Sequence, residues 1–253
     1  MSDAFEVAAI GLGAQQRALD LIANNIANVN TPYFKRAEID FSALISTARM
    51  DGNTPTASSG AVGVGVSSNL ALFQQGVLEQ TGHAFDIAID GAGFIEVLGP
   101  GGQSHLWRGG RLIVNEFGQL GTSDGLALRA NITTPRDMEA LSIRPDGEVV
   151  ALTSDGTEEV LGLINLVQVS HPDAVEALDG GQYRLADDAR LIDAVPGEDG
   201  TGRLVQGSIE RSNVDLNQEM VDLMIIQRAF AANAQVVQAA DQLMSIANNL
   251  RRG

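Results

Sequence analysis

The 253-residue sequence has no cysteine, which excludes disulfides, thiol nucleophiles and cysteine-ligated zinc. Histidine is almost as scarce. His83, His105 and His171 stand alone, and none has a second histidine four positions on, the spacing that sets two ligands on one helical face. Basic residues are outnumbered, 16 against 32 acids, and a formal charge of −16 disfavours nucleic acid or an anionic membrane surface as a partner. No run approaches the ~20 consecutive apolar residues that span a bilayer, so no direct membrane insertion is expected. With Asp3 and Glu6 ahead of any apolar stretch, the beginning of the chain lacks the basic start and hydrophobic core of a cleaved signal peptide. Aromatic residues make up only 4%. Of these, Tyr33, Trp107 and Tyr183 carry polar tips suited to stacking on a sugar, a thin stock for a carbohydrate platform.

Catalytic patterns are equally sparse. The glycines of Val62-Gly63-Val64-Gly65-Val66 are followed by neither Gly-Lys-Ser/Thr nor a helix, so they do not make a phosphate loop. Asp86, Asp90 and Gly91 lack the remaining ligands of a calcium loop, and Ile87 and Ile89 place them in an alternating strand. No Gly-x-Ser-x-Gly elbow occurs. Neither a catalytic residue, a metal site nor a cofactor is expected. A carboxylate pair brought together by folding stays open, so a secreted carbohydrate-binding or hydrolytic β-protein is the alternative from a different class.

What the chain does have is two matching ends. Residues 5–29 and 215–250 carry an apolar residue every seven positions, the period of a helix that buries one stripe against a helical partner. The front series is Phe5, Leu12, Leu19 and Ile26, with Ile22 and Val29 offset by three. The back series is Leu216, Leu223, Phe230, Val237 and Met244, with Ile226, Ala240 and Ala247 offset by three. Each stripe needs a neighbour, which the other end or further copies of the chain would supply. Leu12, Leu19, Ile22, Ile26, Leu216, Leu223, Ile226, Phe230, Val237 and Met244 are therefore the candidate self-assembly interface.

The first helix is expected from about Asp3 to Asn28, stopped by Thr31-Pro32 because the residue before proline leaves the helical region and proline has no N–H to donate. Asn24, Asn25 and Asn28 near its end weaken it locally. They read equally well as frayed caps or as amides cross-linking neighbouring helices. The middle alternates like a β-protein. Hairpins are expected at Asp90-Gly91-Ala92-Gly93 between 85–89 and 94–97, at Pro145-Asp146-Gly147, and at Ser154-Asp155-Gly156 leading into a strand over 159–167. The fold class that follows is α+β: terminal α-helices pairing as a coiled coil, with a central all-β domain. Its parts are an N-terminal helix (1–32), a linker and extended insertion (33–69), the β-domain (70–210) and a C-terminal helix (211–253).

Three blocks carry a family resemblance. Ala23-Asn24-Asn25-Ile26-Ala27-Asn28-Val29-Asn30-Thr31-Pro32-Tyr33-Phe34-Lys35 resembles the N-terminal signature of bacterial flagellar rod and hook proteins, with Tyr33 where that pattern usually has glycine. Val77 to Phe94, including Asp86, Gly91 and Gly93, is similar to the family's central stretch. Ser212-Asn213-Val214-Asp215 and Met220 to Phe230, including Gln227 and Arg228, resemble its C-terminal signature. Leu106-Trp107-Arg108-Gly109-Gly110-Arg111-Leu112 departs from the Thr-Arg-Asp/Asn-Gly-x-Phe usually found there.

The resemblance implies a structural subunit, not an enzyme. Its terminal helices would line the inner tube of a helical polymer in the periplasm-spanning rod, and it would leave the cell through the flagellar type III export apparatus. Implied partners are copies of itself, proximal rod and hook proteins, and the surrounding P-ring and L-ring proteins. Length, composition and the Ser46–Ala61 insertion resemble the distal-rod branch of the family, with a proximal rod protein or a hook-type subunit as alternatives.

Overall fold

The computed structural model describes residues 2–44, 63–70, 74–99, 101–170, 175–178, 181–185, 190–198 and 200–252. The expected Ser46–Ala61 insertion and His171 lie outside the described residues. The chain forms two compact units. The first comprises residues 1–27, 37–69 and 215–253, and the second 28–36 and 70–214.

The helical unit holds α1 (Ser2–Ala27), paired strands β1 (Ala37–Leu44) and β2 (Gly63–Leu70), and α2 (Leu216–Arg252). The two strands lie within the stretch 33–69 and group with the helices. Local chemistry sets the start of α2 and the end of α1. Asp215 caps α2, its carboxylate accepting from the amides of Asn217 at 2.9 Å and Gln218 at 3.3 Å. Past the end of α1, the Thr31 amide donates to the Asn28 carbonyl at 3.1 Å in a turn that leads into Pro32. The helices run antiparallel. Asn25, near the end of α1, bonds Glu219, near the start of α2. Gly11, fourteen residues earlier, lies against Asn233, fourteen residues later, whose amide nitrogen would be 4.0 Å from a β-carbon at Gly11.

The second unit is built of strands among its described residues. These are β3 (Leu78–Gln80), β4 (Asp86–Asp90), β5 (Phe94–Leu98), β6 (Ser104–Trp107), β7 (Gly109–Val114), β8 (Leu120–Thr122), β9 (Ala127–Leu128), β10 (Met138–Ile143), β11 (Glu148–Thr153), β12 (Glu158–Leu163), β13 (Leu166–Val169), β14 (Val175–Ala177), β15 (Gln182–Leu185), β16 (Leu191–Ala194), β17 (Arg203–Gln206) and β18 (Ser208–Glu210). The main sheet has the order β14-β15-β6-β5-β9-β8-β7-β4-β17, with β13 joining β5 to β16. The strands β10-β11-β12 form a second sheet, and β18 pairs with β3. Strand β5 is buried on both faces. Ile95 and Val97 enter a large apolar cluster with Ile87, Ile89, Trp107, Leu112, Leu120 and Val149, whereas Phe94 packs with Leu106, Val167 and Tyr183 on the other side.

The turns at Pro145-Asp146-Gly147 and Ser154-Asp155-Gly156 connect antiparallel β10–β11 and β11–β12 as their local chemistry predicts. Asp90-Gly91-Ala92-Gly93 does not make the expected hairpin. Strand β4 pairs with β7 and β17, while β5 pairs with β6, β9 and β13, so these four residues are a crossover. An Asp-Gly turn of the hairpin type needs φ > 0 at two adjacent central residues, and here only Gly91 (φ 118°) and Gly93 (φ 124°), which are not adjacent, have it. Their carbonyls bond elsewhere instead. The expected strand over 159–167 is also two strands: Ile164 is buried, its amide donates to the Gly147 carbonyl at 2.8 Å, and the chain there leaves β12 to join the main sheet as β13.

Candidate functional site

Two arrangements stand out, one in each unit. In the β-unit a buried ion cluster centres on Glu210, which is 0% exposed. Alternation along β18 turns this side chain inward. There Glu210 Oε1 accepts from Lys35 Nζ at 2.6 Å and from the Gly76 amide at 2.9 Å, and Oε2 accepts from Arg108 Nε at 3.2 Å and Nη2 at 3.0 Å. All four acceptor positions of the carboxylate are thus occupied. Lys35 also donates to the Gln74 carbonyl at 2.7 Å. Arg108 Nη1 takes the carbonyls of the crossover, Gly93 at 2.7 Å and Gly91 at 3.0 Å, and its guanidinium lies 5.7 Å from the centre of the Phe94 ring. Burial strips water from the Lys35 ammonium and pushes it below the ordinary lysine range; the Glu210 carboxylate counters this, and the Arg108 charge adds to it.

Tyr33 forms the rim of the cluster. Its amide donates to the Glu210 carbonyl at 2.9 Å, and its own carbonyl accepts from the Tyr183 hydroxyl at 3.1 Å. The residue sits at φ 63°, the left-handed conformation for which glycine is the low-cost choice. Two glycines make room for it. A β-carbon at Gly181 would fall 2.6 Å from Tyr33 Cβ, and one at Gly109 3.2 Å from Tyr33 Cε1. Desolvation pushes both tyrosine hydroxyls well above their ordinary range, with the nearby Asp86 and Glu210 charges adding to the shift at Tyr33. Asp86 is buried too. Burial alone would raise its carboxyl, but the bonds from Arg111 Nε at 2.9 Å and the Thr81 hydroxyl at 2.7 Å outweigh that and hold it below the usual carboxylate range.

A saturated carboxylate with no free acceptor position has nothing to offer a substrate. The three polar-tipped aromatics weighed for sugar stacking, Tyr33, Trp107 and Tyr183, are all buried, which removes the platform that the carbohydrate reading needs. A cavity of about 190 Å³ lies between Leu128, Leu163, Ile164 and Val167. Its one basic group, Arg129, is already held by Glu96 at 2.7 Å and Asp193 at 2.8 Å.

In the helical unit, the buried seam of α1 among the described side chains is Ala14, Ala18, Ile22 and Asn25. Leu12, Leu19 and Ile26 flank it half-buried. Small residues at the seam let the helix backbones approach. On α2 the covered face reads Glu219, Leu223, Ile226, Phe230, Asn233, Val237 and Ala240, alternating steps of four and three. Leu223, Ile226, Phe230 and Val237 lie where the heptad places them; Leu216, at the helix start, is exposed, and the side chain of Met244 lies outside the described residues. At ~100° per residue, a second apolar stripe runs roughly a third of a turn away. Val221, Ile225, Val236 and Ile246 on it are exposed.

Asn25 is the one of the three amides that is buried. Its side chain accepts from the Ala37 amide and donates to the Ala37 carbonyl, both at 3.0 Å, and donates to Glu219 Oε2 at 3.2 Å. This is the cross-linking role. Asn24 is exposed, and half-buried Asn28 accepts from the Thr31 hydroxyl. Of the other motif positions, Thr31 is exposed and Phe34 half-buried; Ser212 accepts from the Val214 amide, and Asn213 bonds the Arg36 amide at 2.6 Å and the Gln74 carbonyl at 3.0 Å. Gln227 and Arg228 are exposed. Lys35, Gly91 and Gly93, from two separate sequence blocks, meet at one point. Sequence reasoning missed Glu210, Arg108 and Glu219, which bind these blocks together. The only local signal was an acid at an inward position of an alternating strand.

Comparison with known proteins matches three stretches of the chain. Residues 5–35 match the family described as flagella basal body rod protein, 88–151 the flagellar hook protein FlgE/F/G D1 domain, and 205–250 the flagellar basal body rod FlgEFG protein C-terminal region. The chain is 33% identical to the flagellar basal-body rod protein FlgG of Borreliella burgdorferi, over 100% of both chains. It is 34% identical to FlgG of Caulobacter vibrioides, over 98% of this chain and 99% of that one. The flagellar hook protein FlgE of Brucella abortus is 34% identical over 48% of this chain but only 31% of its own length.

Proposed function

Because the chain belongs to the flagellar basal-body rod and hook family, we propose that it works by lateral burial of its helix stripes between copies. It is a structural subunit of the flagellar rod, not an enzyme, and it resides in the basal body. End-to-end similarity to FlgG, against a partial match to the hook protein, makes it the subunit of the distal rod, the shaft that carries torque from motor to hook.

The observation that carries the assembly mechanism is the double stripe on α2. One face is covered by α1, and the other presents Val221, Ile225, Val236 and Ile246 to solvent. In a helical polymer the α1–α2 pair continues as a coiled coil, and the exposed stripe packs on neighbouring subunits. Burying the half of each side chain still open contributes about 1 kcal/mol per residue, repeated in every subunit. Candidate contacts at the covered seam are those from the heptads, Leu12, Leu19, Ile22, Ile26, Leu223, Ile226, Phe230 and Val237, with Leu216 and Met244 completing the series. Proximal rod and hook proteins are the neighbours at the two ends, P-ring and L-ring proteins surround the shaft, and the type III export apparatus delivers the subunits.

Ile225→Asp tests the outer stripe and Phe230→Asp the seam. Both variants are expected to keep a folded β-unit, to be exported, and to be absent from isolated rods. Normal motility in the Ile225→Asp strain contradicts the mechanism.

A further inference from the structure

The chain passes from one unit to the other four times, after Ala27, before Ala37, before Leu70 and after Val214. The residues beside these passages are tied to one another within each unit. In the β-unit, the strap 28–36 is bound through the Tyr33 amide and Lys35 to Glu210, and through the Arg36 amide to Asn213. The segment entering after residue 70 is bound by the Gln74 carbonyl, which accepts from both Lys35 and Asn213, and by the Gly76 amide, which donates to Glu210. Glu210 and Asn213 themselves belong to the segment leaving toward α2. Arg108 fastens this knot to the β4–β5 crossover through the carbonyls of Gly91 and Gly93. In the helical unit, Asn25 plays the equivalent part. Its one side chain holds the end of α1, the first residue of β1 and Glu219 in the first turns of α2.

We infer that Lys35, Glu210 and Asn213 form a clasp in the β-unit, with Asn25 as its counterpart in the helical unit, and that each ties together the connecting segments of its own unit, so that torque passing along the chain is shared among them. Untied, the segment with least slack takes the whole load and yields first. Tied within each unit, the segments stretch together, and force on each falls to a fraction. The four residues position the connections. The clasp itself follows from the contacts within each unit, whereas its part in carrying torque rests on the rod reading.

Hydrogen exchange on the full-length chain tests the clasp, with Lys35→Met and Asn213→Ala as variants. Lys35→Met leaves Glu210 paired with Arg108, and Asn213→Ala removes no charge, so if the first fails to fold the second carries the test. Either substitution is expected to speed exchange at the amides of Tyr33, Arg36 and Gly76 together, at least tenfold, with Ile89, Val97 and Val150 in the sheets unchanged. Unchanged exchange at all three amides in Lys35→Met, or a change confined to the Arg36 amide in Asn213→Ala, overturns the clasp, as does a uniform rise across the β-unit.

In cells, either variant is expected to rotate at wild-type speed under low load and more than twofold slower, or with fractured shafts, in viscous medium. Coupled exchange with wild-type rotation under high load overturns the torque role. Absence of the unsubstituted chain from isolated rods overturns the rod reading and the torque role with it, while the exchange result stands on its own.

Discussion

Replacing Glu210 by Gln is the sharpest perturbation of the β-unit. Each oxygen of the carboxylate faces a cation, Lys35 at 2.6 Å on one side and Arg108 at 3.0 Å on the other. The glutamine amide nitrogen must therefore point at a positive donor whichever way it turns, and two buried cations lose the anion they share. Removing one partner of a buried ion pair costs about 3–5 kcal/mol, a large share of the roughly 5–15 kcal/mol that holds a domain folded. For a unit of this size, each kcal/mol lowers the melting temperature by about 2–4 °C, so a loss of roughly 6–20 °C is expected in thermal denaturation followed by circular dichroism. The double variant Lys35→Met/Glu210→Gln leaves one buried cation, Arg108, with the Gly91 and Gly93 carbonyls still in place. It is expected to recover part of the loss. A Glu210→Gln protein within about 1 kcal/mol of wild type, or a double variant less stable than the single, refutes the assignment of a buried charge cluster.

Two further outcomes are accessible. Tyr33 and Tyr183 are the only tyrosines in the chain, and both hydroxyls are raised above the ordinary value of 10.0. A group with a raised folded pKa contributes stability that is present below its unfolded pKa and is lost as pH rises above it. Phenolate absorbance is thus expected to stay low through pH 10 and to appear in one cooperative step with alkaline unfolding; two independent titrations near pH 10 in folded protein contradict their burial. Deleting Thr47 to Ser59, within the small-residue insertion, is expected to leave export and polymerisation intact and to give curved or flexible rods, checked by electron microscopy of basal bodies. Straight rods of ordinary stiffness remove the stiffening role.

The features legible in the sequence are those set by neighbours along the chain. The heptad ranges 5–29 and 215–250 locate both helices to within three residues at each end, because each buries a continuous stripe, whereas the helical parts drawn at 1–32 and 211–253 overrun α1 and α2 by five residues on the side of the β-unit. The turns at 145–147 and 154–156 are legible because Asp-Gly chemistry closes a hairpin whose two strands have no stronger partner. The same signal misleads at 90–93. There β4 finds β7 and β17, β5 finds β6 and β13, and Arg108 claims the turn carbonyls. Glu210 was invisible for a related reason. Its partners Lys35 and Arg108 lie 175 and 102 residues away, and nothing local separates a buried acid from the other carboxylates of an acidic chain. Asn25 was legible as a choice between two roles, and burial against Ala37 and Glu219 decided it. Tyr33 at a left-handed position is a departure that the sequence showed plainly, but its compensation by Gly109 and Gly181 needed the fold.

The proposed assembly stands or falls on what covers the outer stripe of α2 in the working organelle. Electron cryo-microscopy of basal bodies isolated from cells producing this chain, at a resolution that shows side chains, addresses it directly. The expected map shows the chain in the distal rod with Val221, Ile225 and Val236 of each copy packed against the helices of a neighbouring copy. A rod built from other subunits, or one in which that stripe lines open solvent, contradicts the account.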